Sequence, residues 1–160
     1  MKKEYWHGAH TTHRLKYHLV WTPKYRKRVL QGKVAARIKG LFYDCVEMNQ
    51  WYLEELQVMP DHVHLLIQLP PNMAVSKVVQ LLKSGSSKVI RAEYPDLEEF
   101  LWGDSFWADG YFAESVGVNN EATIKKYIQD QWANYSRSDS EGGHGNSGFK
   151  PELFIIAFVI

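Results

Sequence analysis

One cysteine, Cys45, stands in 160 residues, so no disulfide can form within the chain and no CxxC zinc or redox pair is available. It sits in an apolar helical stretch, where a lone thiol packs as a small hydrophobe. A reducing cytoplasm is the compartment this predicts. No apolar run approaches the ~20 residues of a membrane helix; the strongest, Leu153 to Ile160, is far too short. The first residues show no signal-peptide apolar region. A phosphate-cradling Walker loop is also missing, because Lys83-Ser84-Gly85-Ser86-Ser87-Lys88 lacks the GK[ST] order. Nor is there an excess of one charge: the formal net charge is +1, well below that of strongly basic nucleic-acid-binding domains.

What is present is an ordinary globular composition, 45% hydrophobic and 23% charged, in a length that suits one domain with a true core. Basic residues cluster at Lys24, Arg26, Lys27 and Arg28 and again at Lys83, Lys88 and Arg91, and acidic ones at Glu93, Asp96, Glu98 and Glu99. Such clusters are most often solvated faces and are modest evidence for a polyanionic partner.

Arg14 to Trp21 alternates, with Leu15, Tyr17, Leu19 and Trp21 on one face and Arg14, Lys16, His18 and Val20 on the other, the pattern of a half-buried strand with a basic outer face. Val34 to Met48 has helical spacing through Ile38, Leu41, Phe42 and Val46. Trp51 to Met59 and the run after Pro60-Asp61 predict two further strands. Val75 to Glu93 predicts a helix, Phe106 to Val116 an aromatic strand, and Thr123 onward a last helix entered from Asn119-Asn120 with apolar positions at Ile124, Ile128, Trp132 and Tyr135. The order is β-α-β-β-α-β-α. Its first six elements form the ferredoxin-like (RRM-like) pattern of an antiparallel α+β sheet, with both helices on one face and the first and third strands as central neighbours. The other face is expected to be open.

The most informative run is Met59-Pro60-Asp61-His62-Val63-His64-Leu65-Leu66-Ile67. In a strand, His62 and His64 project from one face, roughly 6–7 Å apart at their Cα atoms, and two such imidazoles can converge on one divalent ion. Val63, Leu65, Ile67 and Leu69 face the other way. An isolated His-x-His is more often a pair of hydrogen-bonded side chains. On the last helix, Tyr127 and Gln131 are four apart and share a face; the ordinary explanation for such a pair is the polar edge of a core.

Taken together and in this order, the two elements resemble the single-tyrosine HUH transposases of bacterial and archaeal insertion sequences, the TnpA family with its REP-associated tyrosine transposase relatives. Tyr17-His18-Leu19-Val20-Trp21-Thr22-Pro23-Lys24-Tyr25-Arg26, the Met59 to Leu66 run, and Phe106-Trp107 through Gly110-Tyr111-Phe112 to Val116-Gly117 carry the same likeness, which runs from about Thr11 to Tyr135. The resemblance implies that Tyr127 is the nucleophile and that His62, His64 and Gln131 hold Mg²⁺ or Mn²⁺; imidazole ligation alone would have suggested zinc. It implies cleavage and rejoining of single-stranded DNA at transposon ends through a 5′-phosphotyrosine, with subterminal hairpins recognised. It also implies a homodimer whose subunits share their active sites.

Arg14, Lys16, Lys24, Tyr25, Arg26, Lys27, Arg28, Lys83 and Lys88 are the candidate DNA contacts, with Tyr25 available to stack on unpaired bases. His18 lies within reach of the histidine pair without an assigned role. The aromatics Trp107, Tyr111 and Phe112 suit either a partner surface or the chain's own core. Three other readings remain: a domesticated relative that cuts palindromes, a non-catalytic single-strand binding module on the same fold, and a zinc hydrolase. The hydrolase would need a nearby general base, and Asp61 is expected to lie on the wrong strand face. Residues 1–135 are expected to form the transposase domain, in a cytoplasmic, nucleoid-associated protein. Residues 136–160 begin rich in Ser, Gly and charge, end apolar, and fall outside the pattern as a flexible tail.

Overall fold

The computed structural model describes residues 4–101, 105–133 and 135. The tail expected at 136–160 lies outside the described residues. A short hairpin comes first, β1 (Trp6–His7) against β2 (Thr12–His13). The main unit follows as β3 (Leu15–Trp21), α1 (Gly32–Met48), β4 (Tyr52–Met59), β5 (His62–Leu69), α2 (Val75–Glu93), a four-residue α3 (Glu98–Leu101), β6 (Phe112–Val116) and α4 (Val118–Gln129). The sheet order is β4-β5-β3-β6 with every pairing antiparallel. The first and third strands of the unit are therefore its centre, as the expected order required.

The helices lie where their apolar spacing sends them. Val34, Ile38, Phe42 and Val46 recur every fourth residue along α1, and Val78, Val79, Leu82 and Ile90 line one side of α2. Both stripes pack with Leu19 and Trp21 of β3 and with Val63, Leu65, Ile67 and Leu69 of β5 in one core. Trp107 joins that core, its ring 6.1 Å from Trp21 and 6.2 Å from Phe42, and its indole N–H donates to the buried Ser86 hydroxyl at 2.8 Å. Trp107 is thus spent on the chain's own interior, and Phe112 packs there too, while Tyr111 stays exposed.

The second face of the sheet is not open. Helix α4 lies across it, with Ile128 packed on Leu66 and Val116 and with Ile124 and Tyr127 beside them. All eight residues of β5 are consequently buried. Alternation along the strand identifies two faces but cannot say that a helix from later in the chain will cover the second. The helix also begins earlier than expected: Gly117 is its N-cap, and Asn119 and Asn120 lie inside it. It ends at Gln129 with Asp130 as its C-cap, and Trp132, expected on the inward stripe, is half exposed. The aromatic segment from Phe106 forms a strand only at Phe112–Val116, preceded by a single bridge between Trp107 and Pro23.

Ion pairs seat α4 as much as apolar contact does. Strand β4 carries a bulge between Leu53 and Glu55, and an extra residue in one strand puts two neighbours on the same side. Glu54 and Glu55 both reach the α4 side as a result. Glu54 accepts from the Lys16 ammonium at 2.9 Å, and Lys16 also reaches Glu121 of α4 at 2.6 Å. Arg14 pairs with the same Glu121, and Glu55 takes Lys125 at 3.3 Å and the Gln129 amide at 2.8 Å. The basic outer face expected of β3 is therefore an internal ion-pair seat, with Lys16 only 2% exposed.

Breaking that seat from one side should be costly. Lys16→Met strands the Glu54 carboxylate in the interior and is expected to lower unfolding free energy by about 3–5 kcal/mol. Arg37→Ala, at the exposed pair with Glu93, should change little. Urea denaturation checks both; equal, small effects would mean that α4 is not held by this buried pair.

Candidate active site

His62 and His64 emerge side by side on the α4 face of β5, their ring centroids 4.8 Å apart at an interplanar angle of 82°. Each ring is anchored through its inner nitrogen. His62 Nδ1 lies 2.6 Å from Asp61 Oδ1, and His64 Nδ1 lies 3.0 Å from His18 Nε2. In both rings the outer nitrogen, Nε2, is buried and has no hydrogen-bond partner among the described residues. An unpartnered buried imidazole nitrogen normally costs free energy. Two of them on adjacent rings are the donor set a divalent ion needs, so the residues present fit such an ion. Burial first, then the neighbouring His62 and His18, hold His64 well below the usual histidine range, which keeps its ring neutral and its lone pair available.

Asp61 belongs to this arrangement, contrary to the expectation that it would lie on the wrong face. It sits in the turn before β5, where strand alternation does not apply. It receives the Arg26 guanidinium at 3.0 Å through its other oxygen. Burial pushes its carboxyl up, but the His62 hydrogen bond and Arg26 outweigh that and hold it below the ordinary carboxylate range.

Helix α4 brings the tyrosine in. The Tyr127 ring is 5.6 Å from His64 and 6.1 Å from His18, edge-on to both, and its hydroxyl oxygen is shielded from solvent. These are histidines of its own chain; no second copy is needed to bring the three rings together. Gln131 follows one turn later, buried, with its amide nitrogen donating to the Tyr127 carbonyl at 3.1 Å. No group of three or more His, Cys, Asp or Glu suited to a metal exists among the described residues.

The sequence profile described as "Transposase IS200 like" matches residues 11–131, a span that contains every one of these side chains. The chain belongs to the IS200-like transposase family. It is 40% identical over 124 residues to the ISDra2 transposase TnpA of Deinococcus radiodurans, a match covering 78% of this chain and 89% of that one. Against the IS200 transposase of Salmonella typhimurium the identity is 33%, over 77% and 80% of the two chains. A solved transposase structure from Deinococcus radiodurans superposes with a TM-score of 0.65 at 35% identity, covering 82% of this chain and 98% of the other. A REP-associated tyrosine transposase solved with a REP hairpin shares the fold, with a TM-score of 0.59 at 11% identity and 94% of each chain covered.

The basic residues of this transposase divide into two groups. Arg14 and Lys16 are committed to the α4 seat. Lys83 is likewise engaged, its ammonium donating to the carbonyls of Ala108, Asp109 and Gly110 at 2.6–3.2 Å, with burial pulling its pKa down to about 8. These three expected DNA contacts instead hold the protein together. Lys27, Arg28 and Lys88 are exposed and Lys24 is half-buried; Lys24 sits 5.6 Å over the Tyr25 ring and Arg28 5.1 Å over that of Tyr135. Tyr25 and Arg26 adopt left-handed backbone at φ 57° and 52°, a cost of about 1–3 kcal/mol each for non-glycine residues. The Arg26–Asp61 pair belongs to that strained turn, which leaves the Tyr25 ring 60% exposed.

Because the sheet face that was expected to be open is buried, His64 is an interior residue whose removal carries a cost. His64→Ala orphans the inner-facing nitrogen of His18. It should therefore destabilise the protein by about 1–3 kcal/mol before any packing loss is counted. Urea unfolding of the metal-free protein measures this; unchanged stability would restore the picture of an open face.

Proposed function

We propose that this transposase cleaves and rejoins single-stranded DNA at the ends of an insertion sequence, with Tyr127 as the nucleophile. The observation that carries the proposal is the Tyr127 ring set against His64, whose buried Nε2 has no hydrogen-bond partner among the described residues. The β-α-β-β-α-β unit is assigned to the ferredoxin-like class on its strand order. His62, His64 and Gln131 would hold Mg²⁺ or Mn²⁺, which would supply charge stabilisation at the scissile phosphate.

A phenol is neutral at pH 7, so Tyr127 must give up its proton as it attacks. Its oxygen bonds to phosphorus, and the bond from phosphorus to the 3′-oxygen of the preceding nucleotide breaks. That oxygen leaves as a 3′-hydroxyl after taking a proton. The 5′-phosphotyrosine retains the phosphodiester energy, so the 3′-hydroxyl of another strand can reverse the step and join DNA without ATP. Exposed Tyr25, Lys27, Arg28 and Lys88 and half-buried Lys24, with Arg26 beside the histidines, are the surface assigned to the strand, through phosphate pairing and base stacking. A hairpin is the substrate form we assign, supported by the REP-associated relative solved with one.

The shared-site homodimer that the family resemblance implies is part of the proposal. An α4 exchanged between the chains of a symmetric dimer would make on its partner the contacts it makes here within one chain. Tyr127→Phe should remain folded, bind hairpin DNA and form no covalent adduct, as seen on denaturing gels with labelled oligonucleotide. An adduct persisting in Tyr127→Phe would remove that residue from the chemistry. Co-refolding Tyr127→Phe with His64→Ala should recover adduct in the mixed dimers, where one intact tyrosine meets one intact histidine pair. Silence in verified mixed dimers would assign each site to a single chain.

A further inference from the structure

His18 and Glu114 have no place in the chemistry above, yet they complete a hydrogen-bonded chain that ends on a proposed ligand. His18 is 1% exposed at the centre of β3. It stands directly opposite Glu114 of edge strand β6, and two residues off register from His64 on the other side. Its two ring nitrogens point in those two directions: Nδ1 is 3.0 Å from Glu114 Oε1, and Nε2 is 3.0 Å from His64 Nδ1. The His18 and His64 rings are nearly coplanar in orientation, 11° apart with centroids at 5.3 Å. Phe112 and Tyr127 close on His18 edge-on, at 5.8 and 6.1 Å. The ring has little freedom to turn.

We propose that His18, oriented by Glu114, is the positioning residue that sets the tautomer and angle of His64 for metal ligation. This rests on the proposed metal role of His64. A neutral imidazole that offers Nε2 to a cation must carry its proton on Nδ1. His64 Nδ1–H then donates to His18 Nε2, which must be unprotonated, so His18 carries its own proton on Nδ1 and donates it to the Glu114 carboxylate. Only one arrangement of protons satisfies all three groups and leaves His64 Nε2 facing outward. His62 is held in the same sense by a shorter route, its Nδ1–H donating to Asp61, which Arg26 backs in turn. Each ligand thus has a carboxylate behind it, one directly and one through a second histidine. Outer partners of this kind fix ring orientation and raise ligand basicity.

The test is Mn²⁺ affinity, read from loss of the free-ion electron paramagnetic resonance signal in the absence of DNA, with stability followed by urea unfolding. His18→Leu fills the space but accepts no hydrogen bond and is expected to weaken Mn²⁺ binding by about 10–100-fold. His18→Gln, whose amide oxygen can accept from His64 Nδ1–H, should recover most of that loss. Glu114→Ala lies at a half-exposed edge and keeps the test available if His18→Leu fails to fold; it should weaken binding in the same direction. Wild-type affinity in folded His18→Leu or in Glu114→Ala would overturn the proposal, as would His18→Gln binding no better than His18→Leu. If His64→Ala itself bound Mn²⁺ like the wild type, the ion would not sit on the histidine pair. That result would overturn the metal reading and the relay with it.

Discussion

The arrangement depends on one packing event, the docking of α4 onto the sheet face opposite α1 and α2. It covers the α4-facing side chains of β5, shields the outward nitrogens of His62 and His64, and brings the Tyr127 ring to 5.6 Å from His64. Burial of unsatisfied imidazole nitrogens is unfavourable unless something is to be bound there. The apolar contribution is small, Ile124, Tyr127 and Ile128 against Leu66 and Val116. The remainder is ionic: Arg14 and Lys16 on Glu121, Lys16 on Glu54, and Lys125 on Glu55.

That division explains why the site is rigid on one side and polar on the other. The histidines ride on the central strand of a sheet whose far face is a dense aliphatic and aromatic core. The tyrosine rides on a helix whose seat is built from charges. Two carboxylates, Asp61 and Glu114, lie behind the imidazoles and point their hydrogen bonds inward, leaving the other edge of each ring for a ligand. The proposed function needs no deep pocket, because its substrate is a strand and its reacting group one phosphate. In that proposal the exposed Tyr25 and its neighbouring cations hold the strand close by.

Much of this was legible in the residues. Period-two alternation in β3 and β5 and period-3.6 spacing in α1 and α2 identify the strands, the helices and the core face correctly, because the face that meets α1 and α2 is continuously apolar. The His62/His64 pair and the Tyr127/Gln131 pair are visible as same-face spacings, and the structure sets the Tyr127 ring of α4 against His64. What alternation could not reveal was long-range. Arg14 and Lys16 look like a solvated basic face until Glu54 and Glu121 arrive from 38 and 105 residues away from Lys16. The bulge that turns Glu54 and Glu55 to the same side leaves no sequence signature of its own. Lys83 resembles a phosphate contact until three carbonyls of the 108–110 loop claim it. His18 looked idle for the same reason, since Glu114 and His64 meet it only across strand pairings. A hint was present in the placement of His18 within the Tyr17 to Arg26 stretch, but its partners could be named only from the register.

Pulsed electron paramagnetic resonance on Mn²⁺-loaded protein carrying isotope-labelled histidine counts the imidazole nitrogens bound to the ion. The wild type should show couplings to two histidine nitrogens, and His62→Ala should show one. An ion bound to the wild-type protein without any histidine nitrogen coupling would contradict the assignment of His62 and His64 as the centre of the active site.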